Sequence, residues 1–192
     1  MKRTSIRHLS FIAATFVAIL LILGLTTFAQ KSEQISGTAM GTGQQVGRMI
    51  NIDLRIFERS VAADQKALFD AFAENGSEGL ANALDKMSSK GRISITGTLG
   101  YDVNYIREFK MPDGSRKIRF VTDRPIRFGE AWGSTRSMDY QISIGEIIIS
   151  KVKGKSTGTL LPATRVKLNK EGEIEFEAFQ NPWTLTNIRV YK

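Results

Sequence analysis

The sequence predicts a fold of the α+β class that is mainly β, and three observations lead to this prediction. Short segments in which apolar and polar residues alternate, about ten in number, follow one another through most of the chain. The connections among the later segments are short, which is typical of antiparallel strands. Only 60–90 has helical spacing, which predicts an inserted αα-hairpin. Such strands usually close into a sandwich or a barrel, and the sequence is compatible with both.

The N terminus, 1–29, is typical of a secretory signal peptide. Lys2 and Arg3 begin a positive segment, an uninterrupted apolar run follows, and a small-residue cleavage signal ends at Ala29. An uncleaved membrane anchor is the alternative, since the apolar stretch approaches the roughly 20 residues that cross a bilayer. In both cases the remainder, 30–192, is predicted to be one β-rich domain exported across the inner membrane, periplasmic or secreted.

The first part of this domain has two different patterns. Residues 35–47 are rich in Gly, Thr and Ser, and we interpret them as turns or bulges. Residues 49–58 alternate instead, with Ile52 and Leu54 among the apolar residues of one face. That alternation predicts a half-buried strand.

The helical segment carries its own start and stop signals. Ser60 is the predicted N-cap of a first helix, which Asn75 and Gly76 end. Ser77 starts a second helix, which ends before Gly91. Because the apolar stripe of this pair is narrow, we expect the helices to pack on one face of the sheet, and a partner-binding groove is the alternative.

A central β-hairpin turns at 112–115, where the sequence is Pro-Asp-Gly-Ser. A two-residue loop and a four-residue loop give the same register, because both place Met111 opposite Arg116. That register sets Phe109 against Ile118 and separates the two faces of the hairpin.

The most apolar strand, 140–152, changes phase at Gly145. Its isoleucines share one face only if Gly145 and Glu146 form a bulge, so we predict a bulge there. A final strand is predicted at 185–190.

A second hairpin joins 164–168 to 173–176. A three-residue loop at 170–172 sets Leu168 opposite Ile174. The same register places Val166 opposite Phe176, and Gly172 takes the left-handed bulge position of the loop.

Composition excludes several kinds of chemistry. The chain has no cysteine, and its single histidine is His8 in the predicted leader. Cleavage of the leader therefore excludes Ser-His-Asp and Cys-His catalysis and every metal site with His or Cys ligands. We predict no cofactor and no metal. The net charge of +8 favours anionic partners, but no nucleic-acid motif is present and we predict no nucleic-acid partner.

An enzyme of this composition would depend on carboxylates. Glu146 stands among isoleucines, and partial burial would raise its pKa toward the range of a general acid. Convergence of such carboxylates on one open cleft would indicate a hydrolase, whereas pairing with arginines would indicate structural ion pairs. The candidates are Glu130, Asp139 and Glu146, with Asp102 and Asp123 as further ones.

Three cations crowd at the tip of the central hairpin. In the predicted register no acid lies directly opposite Lys110, Arg116 or Lys117. One interpretation is that they keep the hairpin soluble and prevent edge pairing. The other is that they contact an anionic partner such as lipid headgroups or an acidic polymer.

Five segments after the leader carry a resemblance to other proteins. They are Leu99-Gly100-Tyr101-Asp102, Thr122-Asp123-Arg124-Pro125-Ile126, Glu130-Ala131, Arg136-Ser137-Met138-Asp139-Tyr140 and Leu185-Thr186-Asn187. Together they resemble a family of uncharacterised exported bacterial proteins with no assigned activity. The resemblance covers most of the chain after the leader and implies a shared fold and export, but it brings no catalytic residues with it.

The sequence thus favours a non-enzymatic binding or structural module of the envelope or the secreted fraction. Its partner would be an anionic or apolar ligand, an anionic envelope component or another envelope protein. The alternative is a carboxylate-dependent hydrolase that works without His or Cys.

Cleavage of the leader is directly testable. The exported protein should begin at Gln30, because the small-residue signal ends one residue earlier. N-terminal sequencing of the exported form measures this. A retained Met1 would show an anchor instead.

Overall fold

The computed structural model describes residues 32–127, 139–168 and 174–191, which contain nine antiparallel strands and one kinked helical segment. The predicted leader lies outside these residues. The elements are β1 (Glu33–Met40), a 3-10 turn (Gly43–Gln45), β2 (Met49–Ile56), α1 (Ala62–Lys86), β3 (Gly91–Ile95), β4 (Tyr101–Lys110), β5 (Arg116–Thr122), β6 (Ile142–Ile149), β7 (Thr157–Leu168), β8 (Ile174–Ala178) and β9 (Trp183–Tyr191).

Eight of the strands close into a barrel. The strand order is β6-β5-β4-β3-β2-β1-β9-β7, and β6 also pairs with β7, which joins the two ends. Strand β8 pairs with β7 alone and stands outside the barrel. The structure therefore selects the barrel over the sandwich, with nine strands in the described residues where the sequence predicts about ten. Closure leaves these eight strands without a free edge.

Strand β7 has different neighbours along its two halves. Its first half pairs with β9 and its second half with β8, while β6 runs along the opposite edge. In the β7–β8 pair, Val166 lies opposite Phe176 and Leu168 opposite Ile174. The register predicted for the second hairpin is confirmed. The loop predicted at 170–172 lies outside the described residues.

Apolar side chains fill the interior of the barrel, and every one of its eight strands contributes to them. An eight-stranded barrel has an interior just wide enough for such a core. Phe120 and Trp183 are its largest members, and both are fully buried. The buried members are Ile35, Ala39, Ile52, Leu54, Ile56, Ile93, Val103, Ile106, Ile118, Phe120, Ile126, Ile147, Leu160, Trp183 and Leu185.

The bulge predicted at Gly145 and Glu146 is wrong. Gly145 pairs with Phe120 and Glu146 with Arg119 in an unbroken β5–β6 register. The glycine is needed for space, because a Cβ at position 145 would lie 2.0 Å from Cζ of Phe120. The β6–β7 register does shift, but between Ile142 and Ile144.

The phase change along β6 has another cause, which is that both faces of the strand are covered. Ile147 is buried in the barrel core, and Ile149 packs against that core. Ile142 and Ile144 belong to a separate apolar cluster with α1 on the outer face. A regular strand that is apolar on both faces needs no bulge to explain its sequence.

The register predicted for the central hairpin, with Met111 opposite Arg116, is wrong by one residue. Lys110 lies opposite Arg116 instead. The turn has a three-residue loop, 112–114, because Met111 donates its N–H to the Ser115 carbonyl at 2.9 Å. Within the turn the Gly114 N–H donates to the Met111 carbonyl at 2.9 Å. Pro112 favours the type I turn on which such loops are built, and Gly114, with φ 77°, supplies the left-handed residue that follows it.

The observed register decides which residues of this hairpin enter the barrel. Ile106 lies opposite Phe120, and both are completely buried in the interior. Arg107 lies opposite Arg119. Because side chains alternate along a strand, both arginines and the nearby Phe109 belong to the outer face.

The predicted αα-hairpin corresponds to α1, in which two helical segments meet at a sharp turn. A Cβ at Gly79 would lie 2.2 Å from the Ala71 carbonyl oxygen, so the second segment returns against the first. Within α1 the backbone leaves helical geometry only at Asn75 (φ −133°) and Gly76 (φ 58°), where the sequence predicts the end of a first helix. Val61 and not Ser60 is the N-cap. Ser60 is held by β4, because its Oγ accepts a hydrogen bond from the Ile106 N–H at 2.9 Å.

Helix α1 packs on the outside of the barrel, as the sequence predicts for a helical segment with a narrow apolar stripe. Leu68 and Leu84 from the helix contact the outer face of the wall. The other buried members of this second cluster are Ala81, Ile142 and Val166, with Phe72, Leu80, Ala83, Met87, Tyr105, Val121 and Ile144 partly buried against them.

Strand β1 is the element that the alternation pattern misses. The Gly, Ser and Thr content of 35–47 predicts turns, yet Ile35 and Ala39 are buried in the barrel interior. Gly37 lies between them on the same face and pairs with Ile52 of β2. Pairing on both edges, with β2 and with β9, makes this polar segment a strand.

The contact between Phe120 and Gly145 can be tested by a double-mutant cycle. Gly145→Ala should destabilise the protein by about 1–3 kcal/mol, because the new methyl group overpacks the interior. In a Phe120→Leu background the same substitution should cost clearly less, since the ring that it meets is gone. Urea unfolding of the four proteins measures the coupling. Strictly additive costs would contradict the contact.

Candidate functional site

An apolar cleft of about 390 Å³ lies between α1 and the outer wall of the barrel. It is the strongest candidate for a binding site, because concave and mostly apolar surfaces with a few polar groups are typical of ligand sites. The helix contributes Gln65, Leu68, Phe69, Phe72, Leu80 and Leu84, and the strands contribute Tyr105, Arg107, Phe109, Arg119, Val121, Ile142, Ile144, Val166 and Phe176.

The helical wall of the cleft follows from the spacing of its apolar residues. Leu68 and Phe72 lie one turn apart on the first half of α1, and Leu80 and Leu84 on the second half. Leu84 is completely buried and Leu68 nearly so, which fixes both halves of the helix on the barrel. The helix therefore forms one wall of the cleft and is anchored on the barrel by these two leucines.

The barrel wall of the cleft follows from strand alternation. Val121 follows Phe120, so when Phe120 enters the interior Val121 takes the outer face. Tyr105 lies opposite Val121 on β4, and Ile144 lies opposite it on β6. These three neighbours form a continuous apolar patch beneath the helix.

Two phenylalanines at the cleft remain half exposed. Phe69 of α1 is 51% exposed and Phe176 of β8 is 49% exposed, and both line the cleft. Apolar side chains gain free energy when they leave water, at about 25 cal/mol per Å². These two rings are available for contact with an apolar ligand.

Two arginines lie beside each other where β4 and β5 border the cleft. Arg107 and Arg119 are directly opposite each other across the strand pair. Both guanidinium groups stack on Phe109, at 5.3 and 5.8 Å from the ring centroid. Arg107 donates a hydrogen bond to Oε1 of Gln65. This edge of the apolar cleft is therefore cationic.

Glu146 pairs with cations at the same edge. Nη2 of Arg119 lies 2.7 Å from Glu146 Oε2, and Nζ of Lys117 lies 3.4 Å from Oε1. Burial acts to raise the pKa of Glu146, but the hydrogen bonds from Arg119 and Lys117 outweigh it and hold the pKa below 4.5. The predicted rise of this pKa is wrong, because the pairing of β6 with β5 brings Arg119 and Lys117 to the carboxylate.

The other candidate carboxylates do not join Glu146 in the described part of the chain. Asp139 is exposed and lies near Tyr140 and Arg165, whereas the ion pairs of Glu146 are to β5. Glu130 lies outside the described residues. Asp102 forms an ion pair with Arg92 at 3.0 Å.

Asp123 has a different environment from Glu146. Its side chain is 13% exposed, and Nε of Arg124 lies 3.7 Å from Oδ1. That oxygen accepts no hydrogen bond from the described residues. Burial, together with the charge of Asp102, raises the pKa of Asp123 above 3.8 despite the nearby Arg124.

The three cations at the tip of the central hairpin have different neighbours from those predicted. Arg116 pairs with Glu33 at 2.5 Å and Lys117 with Glu146, whereas Lys110 is exposed. Anion binding by the three together stays a prediction, but two of them already have carboxylate partners. The partners come from other strands, because Glu33 belongs to β1 and Glu146 to β6.

Arg116 belongs to a charge network that holds strands together. Glu33 of β1 accepts from both Arg59 and Arg116, and Arg59 also pairs with Glu108 at 2.8 Å. Burial acts to raise the pKa of Glu33, but the hydrogen bonds from the two arginines outweigh it and lower the pKa below 4.5. These pairings connect β1 with β4 and β5, so we assign the network a structural role.

Sequence reasoning did not find the cleft, although part of its signal was present. The apolar stripe of the helix predicted packing on a sheet, and apolar residues on both faces of β6 indicated a covered outer wall. The pairing of Arg107 with Arg119 could not be predicted from such local patterns, because it depends on the register of the central hairpin.

Some classes of site find no support in the described residues. These residues contain no group of three or more His, Cys, Asp or Glu side chains that could hold a metal ion. No helix among them is long and apolar enough to cross a membrane.

Comparisons with known proteins give no family for this chain: no family model, curated protein or solved structure matches it.

The opposite environments of Glu146 and Asp123 predict opposite effects of neutralisation. Glu146→Gln should lower the free energy of unfolding at pH 7 by about 0.5–1 kcal/mol, since it breaks partly exposed ion pairs. The lowered pKa means that this stabilisation exists above pH 4.5 and is lost as the pH falls through the folded-state value. The difference between parent and variant in urea unfolding should therefore shrink as the pH falls below 4.5 and disappear once Glu146 is protonated in the folded state.

Asp123→Asn is the contrasting variant. The raised pKa of Asp123 in the parent means that folding disfavours the ionised carboxylate, so the substitution should stabilise the protein at pH 7. The difference should disappear below pH 3.8, where the unfolded-state carboxyl is also protonated. Equal signs for the two variants at pH 7 would contradict this assignment of the two environments.

Proposed function

We propose that this chain is an exported, non-enzymatic module that binds an apolar ligand in the cleft between α1 and the barrel wall. The observation that carries the proposal is the cleft itself, a concave surface of about 390 Å³ with walls made largely of Leu, Phe, Ile and Val. A filled barrel interior supports the choice of an outer site, because the core formed by the described strands leaves no room for a ligand inside the barrel.

The size of the cleft supports a small ligand. Ligand pockets usually measure about 300–1,000 Å³, so this cleft is near the lower end of the range. The half-exposed rings of Phe69 and Phe176 add apolar surface that a ligand can cover. Each buried methylene group contributes about 0.8 kcal/mol, which allows useful affinity without many polar contacts.

The state of the carboxylates supports binding over hydrolysis. A general acid needs a pKa near the working pH, yet Glu146 has a lowered one. Hydrogen bonds from Tyr140, Lys167 and Arg165 lower the pKa of Glu177 to about 2. Both carboxylates are therefore ionised partners of cations, which is typical of structural ion pairs.

Export is the second component of the proposal, and it rests on the sequence of 1–29. A positive start, an apolar run and a small-residue cleavage signal are typical of secretory leaders. A periplasmic or secreted domain meets lipids, envelope proteins and small apolar molecules, all of which offer apolar surface to such a cleft.

Binding of a neutral apolar dye tests the proposed site. The purified protein should increase the fluorescence of N-phenyl-1-naphthylamine, and Val121→Trp should weaken this binding about tenfold. The added indole fills space in the cleft and removes contacts worth roughly two methylene groups. A fluorescence titration of each protein gives the dissociation constants.

Val46→Trp is the matched control. Val46 is 74% exposed and lies on the β1–β2 connection, away from the residues that line the cleft. This variant should bind the dye as the parent does, and urea unfolding should show that both variants are folded. Absence of dye binding by the parent, or equal binding by both variants, would contradict the proposed site.

A further inference from the structure

The arginines at the edge of the cleft carry an inference about the class of ligand. We propose that the ligand is a single-chain amphiphile with a carboxylate head, that is, a fatty acid, whose head binds Arg107 and Arg119 and whose chain lies in the apolar cleft. This inference rests on the proposed function, since it assigns the polarity of a ligand at the same site.

The first argument is that the two arginines face each other directly. Arg107 and Arg119 are paired residues of β4 and β5, and like charges in this position destabilise a strand pair. Both guanidinium groups are held over the same Phe109 ring. An anion placed between them would convert this repulsion into attraction.

The second argument is that the local charge is only partly balanced. Glu146 is the carboxylate at this edge, and it is shared between Arg119 and Lys117. None of the ion pairs among the described residues includes Arg107, whose side-chain hydrogen bond is to the neutral amide of Gln65. One carboxylate among three cations leaves an excess of positive charge beside an apolar surface.

The third argument concerns the match of head and chain. Arg107, Arg119 and Gln65 line the same cleft as the apolar side chains, so one molecule can reach both kinds of surface. The guanidinium group offers a planar pair of donors that fits a carboxylate. A neutral apolar ligand would leave Arg107 without an anion among the described residues.

The volume of the cleft sets the length of the chain. If each methylene-sized group takes about the 30 Å³ that a water molecule occupies in the liquid, a cleft of about 390 Å³ holds roughly thirteen such groups, enough for a ten-carbon chain with its carboxylate. Decanoate is therefore a suitable probe, and decanol is its neutral counterpart with the same chain. The pair differs in the head group alone.

Calorimetric titration of the purified protein with decanoate and with decanol, both below their aggregation concentrations, tests the inference. Decanoate should bind about tenfold more tightly than decanol, because a hydrogen bond to a charged group contributes about 1.5–3 kcal/mol. This preference should decrease between about 10 and 150 mM salt, where the Debye length falls from about 30 to 8 Å.

Three variants separate the head contact from structure. Arg107→Gln should weaken decanoate about tenfold and leave decanol unchanged. Glu146→Gln should tighten decanoate, because it removes the carboxylate that now shares Arg119. Arg48→Gln is the matched control, since Arg48 is exposed on the β1–β2 connection and does not line the cleft. It should change neither ligand.

The outcomes distinguish this inference from the proposed function. Equal binding of decanol and decanoate would overturn the carboxylate head and leave an apolar site in place. An equal loss of both ligands in Arg107→Gln would assign that residue a structural role and overturn the head contact. Failure of both ligands to bind, together with failure of the neutral dye, would overturn the ligand site itself and direct attention to a protein segment or a second copy as occupant.

Discussion

The packing of Phe120 over Gly145 is the contact on which the rest of the molecule depends. The ring of Phe120 fills the barrel beside the backbone of β6. A side chain at position 145 would collide with that ring, so the position requires glycine. Because that strand can then approach, β6 pairs with β5 on one edge and with β7 on the other, and the second pairing closes the barrel. A filled interior has a direct consequence for function. Space for a ligand must lie outside the barrel, where α1 covers an apolar wall.

Alternation of side chains explains why the apolar cleft and the cationic edge occur together. Once Ile106, Ile118 and Phe120 enter the interior, the residues between them must face outward. On β4 these outward residues include Arg107, and on β5 they include Arg119. The same strands thus provide a buried core on one face and an arrangement of aliphatic, aromatic and guanidinium groups on the other. On the outer face Arg107 lies directly opposite Arg119, and this repulsion opposes folding. A role in binding would explain why both arginines are present.

Local sequence signals predicted those parts of the fold that depend on local rules. The second hairpin has the predicted register because its loop length and its alternation agree, and the kink of α1 falls at Asn75 and Gly76 as the stop signal indicates. The central hairpin has a different register because Gly114 is left-handed and closes a three-residue loop, whereas the prediction rested on a two-residue or a four-residue loop. The error at Glu146 has a separate cause. Glu146 was expected to stand among isoleucines, but the pairing of β6 with β5, which joins segments distant in the sequence, brings it to Arg119 and Lys117.

The position of α1 links ligand binding to the stability of the fold. The helix contacts the barrel through the apolar cluster that also lines the cleft, so a ligand there adds contacts between the two. A ligand that binds only the folded state raises the free energy of unfolding by RT ln(1 + [L]/Kd). Phe69 and Phe176 are half exposed without such a ligand, and covering them strengthens the attachment of the helix. The interior of the barrel is a separate apolar cluster that a ligand in the cleft does not contact. The helix and the cleft are therefore the part of the molecule in which affinity and local stability are expected to change together.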